Sequence, residues 1–483
     1  MAAVLNIILL ITDTFRYDNL QQRAAAMPVR TPHLDRFAAA RATEVHGFYA
    51  GSFPTIPHRT DIATGRLGWP HYGWQPLDLS SRNHIATMLR ACGYATQLIC
   101  DCPHLFPARF QGGFEAAFQH RGQEGDRPLL HLNDPIEPVM PRGKTRLEPR
   151  YRDAPLVDVH RWTNRYNRCE ADTFAARTSA TACRWLEENC QAEPFFLWVD
   201  FFDPHEPWDP PEYLVRRYDP DYAGPPMLHP NYGRASAYTP AELRNLRAHY
   251  AAEAELVDRW LGRVLEKIDD VGLWERSVVV VTSDHGVSLG EHERTGKSNI
   301  SSDDARYWPL YPEIGHVPFL VAAPDVPRGG SLCACGQPVD VLPTIAELAG
   351  VPLQPAEPLD GISLASVLRA GRGTPREYAV SGCHLRPAGD GSAPRRAVTP
   401  FVVTPEWGYA PVGAAGEPEL YALREDPLAT RSVAAAHPDQ LRWLHGLLLA
   451  HLRAHNAPPA VCALWAQDPQ AGPAGISARD YQT

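Results

Sequence analysis

The sequence predicts an α/β fold: a large, mostly parallel sheet flanked by helices, with a smaller C-terminal α+β subdomain. Three observations predict it. Short apolar runs rich in Val, Ile, Leu and Phe recur between helical stretches, at N-I-I-L-L-I-T-D (6–13), Y-A-T-Q-L-I-C-D (94–101), F-F-L-W-V-D-F-F-D (195–203) and V-V-V-V-T-S-D (278–284). Runs without alternation are what strands buried on both faces look like. Second, each run ends in aspartate. Ligands bind beyond the carboxyl ends of the strands in open α/β sheets, so four acidic ends would converge on one edge. A lone aspartate there would read as a helix cap or turn residue; four together point to a site. Third, composition shifts after residue 372 to R-G-T-P, G-D-G-S-A-P and short aromatic runs, which divides the chain into a catalytic unit, 1–372, and a smaller one, 373–483.

The remaining elements follow in order. A fifth run, V-P-F-L-V-A-A-P (317–324), fits the same sheet, and helices are expected over 83–92, 170–189, 240–268 and 438–454. The stretches 119–166 and 204–239 lack sustained periodicity and read as long loops that cover a site and shape substrate choice.

Composition excludes several functions. Lys+Arg 46 against Asp+Glu 56 gives net charge −10, which argues against binding a nucleic-acid backbone. No window approaches the roughly 18 apolar residues a membrane span needs, and the N-terminal run lacks a basic leader and a cleavage site. A cytoplasmic location is expected, away from any membrane. The 10 cysteines match neither a zinc ribbon nor a disulfide framework and read as free thiols. Lysine occurs only at 144, 267 and 297, so its placement is informative. Nothing in the sequence specifies an oligomeric state.

The chemistry concentrates in T-I-P-H-R-T-D-I-A-T-G-R, 55–66. Thr55 is a good N-cap, Pro57 suits a first helical turn and Gly65 a terminus, so a short helix is expected to open at Thr55. Arg59 lies one turn along the same face, where hydroxyl, backbone donors and guanidinium could meet one anionic group.

This spacing resembles the sulfatase branch of the alkaline phosphatase superfamily, whose motif is C-x-P-S-R followed by T-G-R. Here it reads T-x-P-H-R and T-G-R. The resemblance continues through I-L-L-I-T-D-T-F-R-Y-D (8–18), T-P-H-L-D-R-F (31–37), D-P-H-E-P-W (203–208), T-S-D-H-G-V-S-L-G-E-H (282–292), Q-P-V-D-V-L-P-T-I-A-E-L-A-G-V-P (337–352), L-D-G-I-S-L (359–364) and E-L-Y-A-L-R-E-D-P (419–427). By resemblance, one divalent metal is held by Asp13, Asp284, His285 and the residue-55 side chain. That donor set suits Mn²⁺, Zn²⁺ or Fe²⁺ better than Ca²⁺ or Mg²⁺. Lys297 matches the family lysine on the transferred group, and His205 the histidine near the leaving-group oxygen, suited to proton transfer.

The chain departs from the pattern at three places. Thr14 stands where an acidic ligand usually follows Asp13. In the block resembling G-Y-x-T-x-x-x-G-K-x-x-H, Gly93, Tyr94, Thr96 and His104 fit, but Asp101 replaces the lysine. Either the substrate carries less charge, as a phosphate diester or phosphonate monoester would, or Asp101 and His104 help hold a second cation. Lastly, Thr55 cannot become formylglycine as cysteine or serine does. A threonine attacking phosphorus leaves a phosphothreonine that water can hydrolyse, so metal-assisted hydrolysis of a small anionic phosphate diester or phosphonate monoester is expected. In this scheme Arg59 and Lys297 hold the non-bridging oxygens and His205 protonates the leaving alcohol. A transferase of the same chemistry, a sulfatase working without formylglycine and an inactive binding homologue are the alternatives.

Overall fold

The computed structural model describes residues 4–24, 26–79, 83–123, 133–147, 149–151, 153–192, 194–297, 306–383 and 398–466. Its main sheet has eight strands: β1 (Asn6–Thr12), β2 (Thr43–Phe48), β3 (Ala95–Cys100), β4 (Ala116–Gln119), β5 (Phe195–Phe201), β6 (Ser277–Ser283), β7 (Phe319–Ala322) and β8 (Gly330–Gly336), in the order β8-β2-β7-β6-β1-β5-β3-β4. β1 lies in the middle, parallel to β6 and β5, with Thr12 beside Ser283 and Phe201. Thus Asp13, Asp284 and the 202–206 loop leave the sheet at one level. The sheet is mixed, because β7 runs antiparallel to both β6 and β2. The run at 317–324 therefore belongs to the sheet but reverses direction.

Every residue of β1 is buried. Ile7, Leu9 and Ile11 face one core with Ile56, Ile62, Leu89 and Ile345, while Ile8 and Leu10 face another with Phe37, Leu186, Leu261 and Val264. Helices thus cover both faces, which is why the run shows no polar alternation. Each such aliphatic side chain contributes about 1.5–3 kcal/mol on burial.

The helices Ile85–Ala91, Phe174–Asn189, Pro240–Asp270 and Pro438–Ala454 match expectation to within a few residues. Three strands were not expected: β2 and β8 carry glycines and polar residues, and β4 is a half-exposed edge. The two stretches expected to be loops hold short helices. Leu156–Asn164 buries Leu156, Val157, Val159 and Trp162, and Glu212–Tyr218 buries Leu214 and Val215. Each is too short for its periodicity to stand out from the Pro- and Arg-rich sequence around it.

Beyond residue 372 the chain adds β9 (Ala379–Cys383), β10 (Phe401–Val403), β11 (Trp407–Ala410) and β12 (Glu419–Ala422), in the order β12-β11-β10-β9. Val402, Tyr409 and Leu420 pack against Leu441, Leu444 and Leu448 of the last long helix. The fifth strand of this sheet is Ser52–Phe53, parallel to β9 and only one residue before the Thr55 helix. The C-terminal sheet thereby holds the entry to that helix. No helix among the described residues is long and apolar enough to cross a membrane, and the ten cysteines are free thiols.

Candidate active site and metal centre

The helix Thr55–Thr64 is buried along its whole length and ends at Gly65, whose φ of 65° is the left-handed conformation glycine adopts without strain. Thr55 is not its N-cap. Pro54 takes that position and no side chain caps the helix, so the hydroxyl of Thr55, the first helical residue, is not used to cap its own turn. The loop before it is pinned by Asp61, which accepts from the Ser52 amide and hydroxyl and from the Gly68 amide. Burial raises the Asp61 carboxyl to about 7.

Arg59 is fully buried and lies among three carboxylates. Its Nε and Nη2 donate to Asp200 at 2.9 and 2.8 Å, a bidentate pair. Its Nη1 donates to Asp284 Oδ2 at 2.7 Å, Asp13 Oδ2 at 3.2 Å and the Thr55 carbonyl at 3.2 Å. One nitrogen thus joins the head of the helix to the ends of β1 and β6. Burial works against the charge of Arg59, yet Asp200 and Asp284 hold its pKa well above the ordinary value. Burial raises Asp200, against the pull of Arg59 and of the Trp198 indole, which donates to it at 3.0 Å. Its donors are taken by carboxylates and its side chain has no exposed surface.

Asp13, Asp284 and His285 offer ligand atoms within 4.8 Å of one another, all buried. The His285 Nδ1 lies 3.0 Å from the Gly286 carbonyl and must donate to it, which leaves Nε2 unprotonated. That Nε2 is buried without a hydrogen-bond partner, 3.5 Å from Asp284 Oδ2 and 3.9 Å from Asp13 Oδ1. Burial first, and the Lys297 charge second, lower its pKa to about 3. Two carboxylates and an imidazole with its lone pair among them fit a divalent metal, and the backbone bond fixes the tautomer such a ligand needs. Gly286 allows the turn its close approach, since a Cβ there would lie 2.2 Å from the Glu313 carbonyl oxygen.

Thr14 has φ 64°, a strained conformation for a β-branched residue. Its amide donates to Asp284 Oδ1 at 3.0 Å and its hydroxyl to Asp13 Oδ1 at 2.8 Å. The strain sits where such outliers concentrate, at a functional site. Lys297 donates to the Thr14 hydroxyl at 3.1 Å and lies 3.2 Å from Glu206 Oε1. Burial would raise Glu206, but His205, Lys297 and His229 together bring it well below the ordinary range. His205 is buried, stacks on Phe202 at 4.1 Å and bonds the Glu206 carbonyl through Nδ1 at 2.6 Å.

Two expected site residues fall elsewhere. Asp101 is fully buried, accepts from the Thr178 hydroxyl at 2.8 Å and from the Phe202 amide, and does not join the Asp13–Asp284–His285 group. Burial and neighbouring Asp203 raise it well above the aspartate range. His104 is half-buried against the edges of Trp74 and Phe202.

Sequence reasoning missed Asp200, which lies mid-run like a core position, and Glu206. It also missed His58. Both its ring nitrogens are buried without a partner, and burial, then Arg59, lower its pKa far below the ordinary value. The signal was the histidine of T-x-P-H-R standing where the related motif has serine.

A buried Asp–Asp–His group at metal spacing, at the carboxyl edge of a doubly covered α/β sheet, is the arrangement of a hydrolase of the sulfatase-like branch of the alkaline phosphatase superfamily. The sulfatase family model matches residues 5–351, and the chain belongs to that family of ester hydrolases. It is 23% identical to an arylsulfatase of Clostridium perfringens over 92% of this chain and 94% of that protein. Among solved structures it resembles the phosphonate monoester hydrolase of Agrobacterium radiobacter, with TM-score 0.70 and 23% identity over 93% of this chain and 96% of the other. The phosphonate monoester hydrolase of Silicibacter pomeroyi gives TM-score 0.65 and 21% identity over 93% and 96%.

Proposed function

We propose that this enzyme hydrolyses phosphate diesters or phosphonate monoesters through a covalent intermediate on Thr55, with one divalent metal held by Asp13, Asp284, His285 and the Thr55 hydroxyl. The observation that carries it is the Arg59 nitrogen shared by Asp13, Asp284 and the Thr55 carbonyl, which ties the nucleophile's backbone to the proposed ligands. When bound, the metal would supply Lewis acidity that lowers the cost of ionising the threonine.

The chain's own residues supply the rest. The Thr55 oxygen attacks phosphorus from the positive end of its helix. Lys297, steadied between Thr14 and Glu206, attracts the non-bridging oxygens. His205 gives a proton to the leaving alcohol, then takes one from the water that splits the phosphothreonine. Arg59 pairs with the three carboxylates and holds them in place around the head of the helix.

Charge supports a monoanionic substrate. Asp101 is bound to the Thr178 hydroxyl and the Phe202 amide, and its position supplies no cation where the related motif has lysine. Arg59 is consumed by carboxylates and Lys297 is partly neutralised by Glu206, so little positive charge is left to offset a dianion. The free thiols fit a reducing, cytoplasmic compartment.

Thr55→Ala is expected to lower kcat on an aryl phosphate diester by about 10³-fold or more, with Thr55→Ser keeping part of it. Near wild-type turnover by the alanine variant would refute the covalent route. Faster turnover of the matched aryl sulfate would move the substrate to sulfuric esters.

A further inference from the structure

A cavity of about 420 Å³ lies between the two stretches read from sequence as substrate-shaping, lined by His160, Arg161 and Asn164 of one short helix, by Asp203, Pro207 and Asp209, and by Glu253 of the long helix. It does not include the Asp13–Asp284–His285 group. Two of its acids have no cation to balance them: Asp203 is 1% and Glu253 4% exposed, and neither has an ion-pair partner among the described residues. Burial raises both carboxyls above their ordinary ranges, with the charges of Asp203 and Asp209 adding to it at Glu253, and burial raises Asp209 to about 6 despite its bond from Arg161.

Gln123 adds an independent sign of a missing partner. It is 8% exposed and lines the cavity; its Nε2 donates to Asp203, and its Oε1 is buried with no hydrogen-bond partner. A buried acceptor left unpaired is costly and is normally satisfied. The wall formed by Asp203, Glu253 and Gln123 therefore accepts hydrogen bonds and would welcome positive charge.

A bare metal ion does not suit it. Among the described residues, Asp13, Asp284 and His285 form the only group with ligand atoms at metal spacing. An ammonium, with three diverging donors, can reach acceptors set farther apart. The rim carries the opposite charge. Arg161 is bound to Asp209 and Arg165 to Asp134, while Arg168 lines the cavity with no ion pair among the described residues.

We propose that this cavity binds a small zwitterion, its ammonium on Asp203, Glu253 and Gln123 and its anionic group on Arg168. The site is independent of the esterase reading. Calorimetric titration of the full chain with taurine, ethanolamine and ethanesulfonate tests it. Taurine and ethanolamine are expected to bind, and Glu253→Gln to weaken both by about tenfold or more. Arg168→Ala, a change at an exposed residue, should weaken taurine and leave ethanolamine unchanged. Ethanesulfonate, which lacks the amine, should not distinguish Glu253→Gln from the parent. Failure of both amines to bind, or unaltered taurine affinity in either variant that folds, overturns the proposal. A melting temperature for Glu253→Gln at or above the parent's shows that any lost affinity is not lost folding.

Discussion

Two groups of buried acids stand at the carboxyl ends of the same sheet and solve the cost of burial differently. Asp13, Asp200 and Asp284 surround a guanidinium at 2.7–3.2 Å. Asp101, Asp203 and Glu253 have no ion pair among the described residues, and burial drives their carboxyls toward the neutral form. Asp101 and Asp203 follow strands as Asp13 and Asp284 do, while Glu253 comes from the long helix. What separates them is one arginine carried in by the Thr55 helix: where it reaches, the buried carboxylates have a cation to pair with, and where it does not, burial pushes the carboxyls upward without that counterweight.

The largest expected effect tests the charged group. Exhaustive dialysis against a chelator should reduce ester hydrolysis to background, and added Mn²⁺ or Zn²⁺ should restore it. Undiminished turnover by verified metal-free protein would leave Asp13, Asp284 and His285 without their proposed purpose. Next in size, Arg59→Met should destabilise the fold by about 3–5 kcal/mol in urea unfolding, because it leaves Asp200 buried and uncompensated. A loss below about 1 kcal/mol would mean that Asp200 is already neutral, and the contrast between the two groups would disappear.

Much of this frame was legible in sequence, for definite reasons. The strands of the sheet centre are buried on both faces, so they read as unbroken apolar runs. Pro57 and Gly65 bracket the helix that carries Thr55. Asp13, Asp284 and His285 follow strand ends, where sheet topology alone makes them neighbours. The rest depended on pairings that sequence does not encode. Asp200 looks like an interruption within an apolar run until Arg59 is seen to reach it, across 141 residues. The same invisibility made Asp101 resemble a site residue: it also ends a strand run, but its side chain turns to Thr178 and the Phe202 amide. The motif places Arg59 one turn along from Thr55, but the three carboxylates it meets there come from distant strands, which a motif does not encode.

The smallest predicted effect sharpens the contrast most, because it depends on sign. Asp101 is protonated when folded and ionises in the unfolded chain above about pH 4. Over that range the unfolded state holds fewer protons than the native one, so this group's contribution makes stability fall as pH rises. Asp101→Asn keeps the acceptor for the Phe202 amide and reverses the Thr178 contact, its amide nitrogen donating to the hydroxyl, on a side chain that cannot titrate. It should therefore cost less than about 1 kcal/mol near pH 5 and become neutral or stabilising near pH 7, flattening the decline. Urea midpoints at the two pH values read this directly. A variant that loses more stability at the higher pH than at the lower would mean that Asp101 is ionised in the native protein, and that an unrecognised cation balances the second group as Arg59 balances the first.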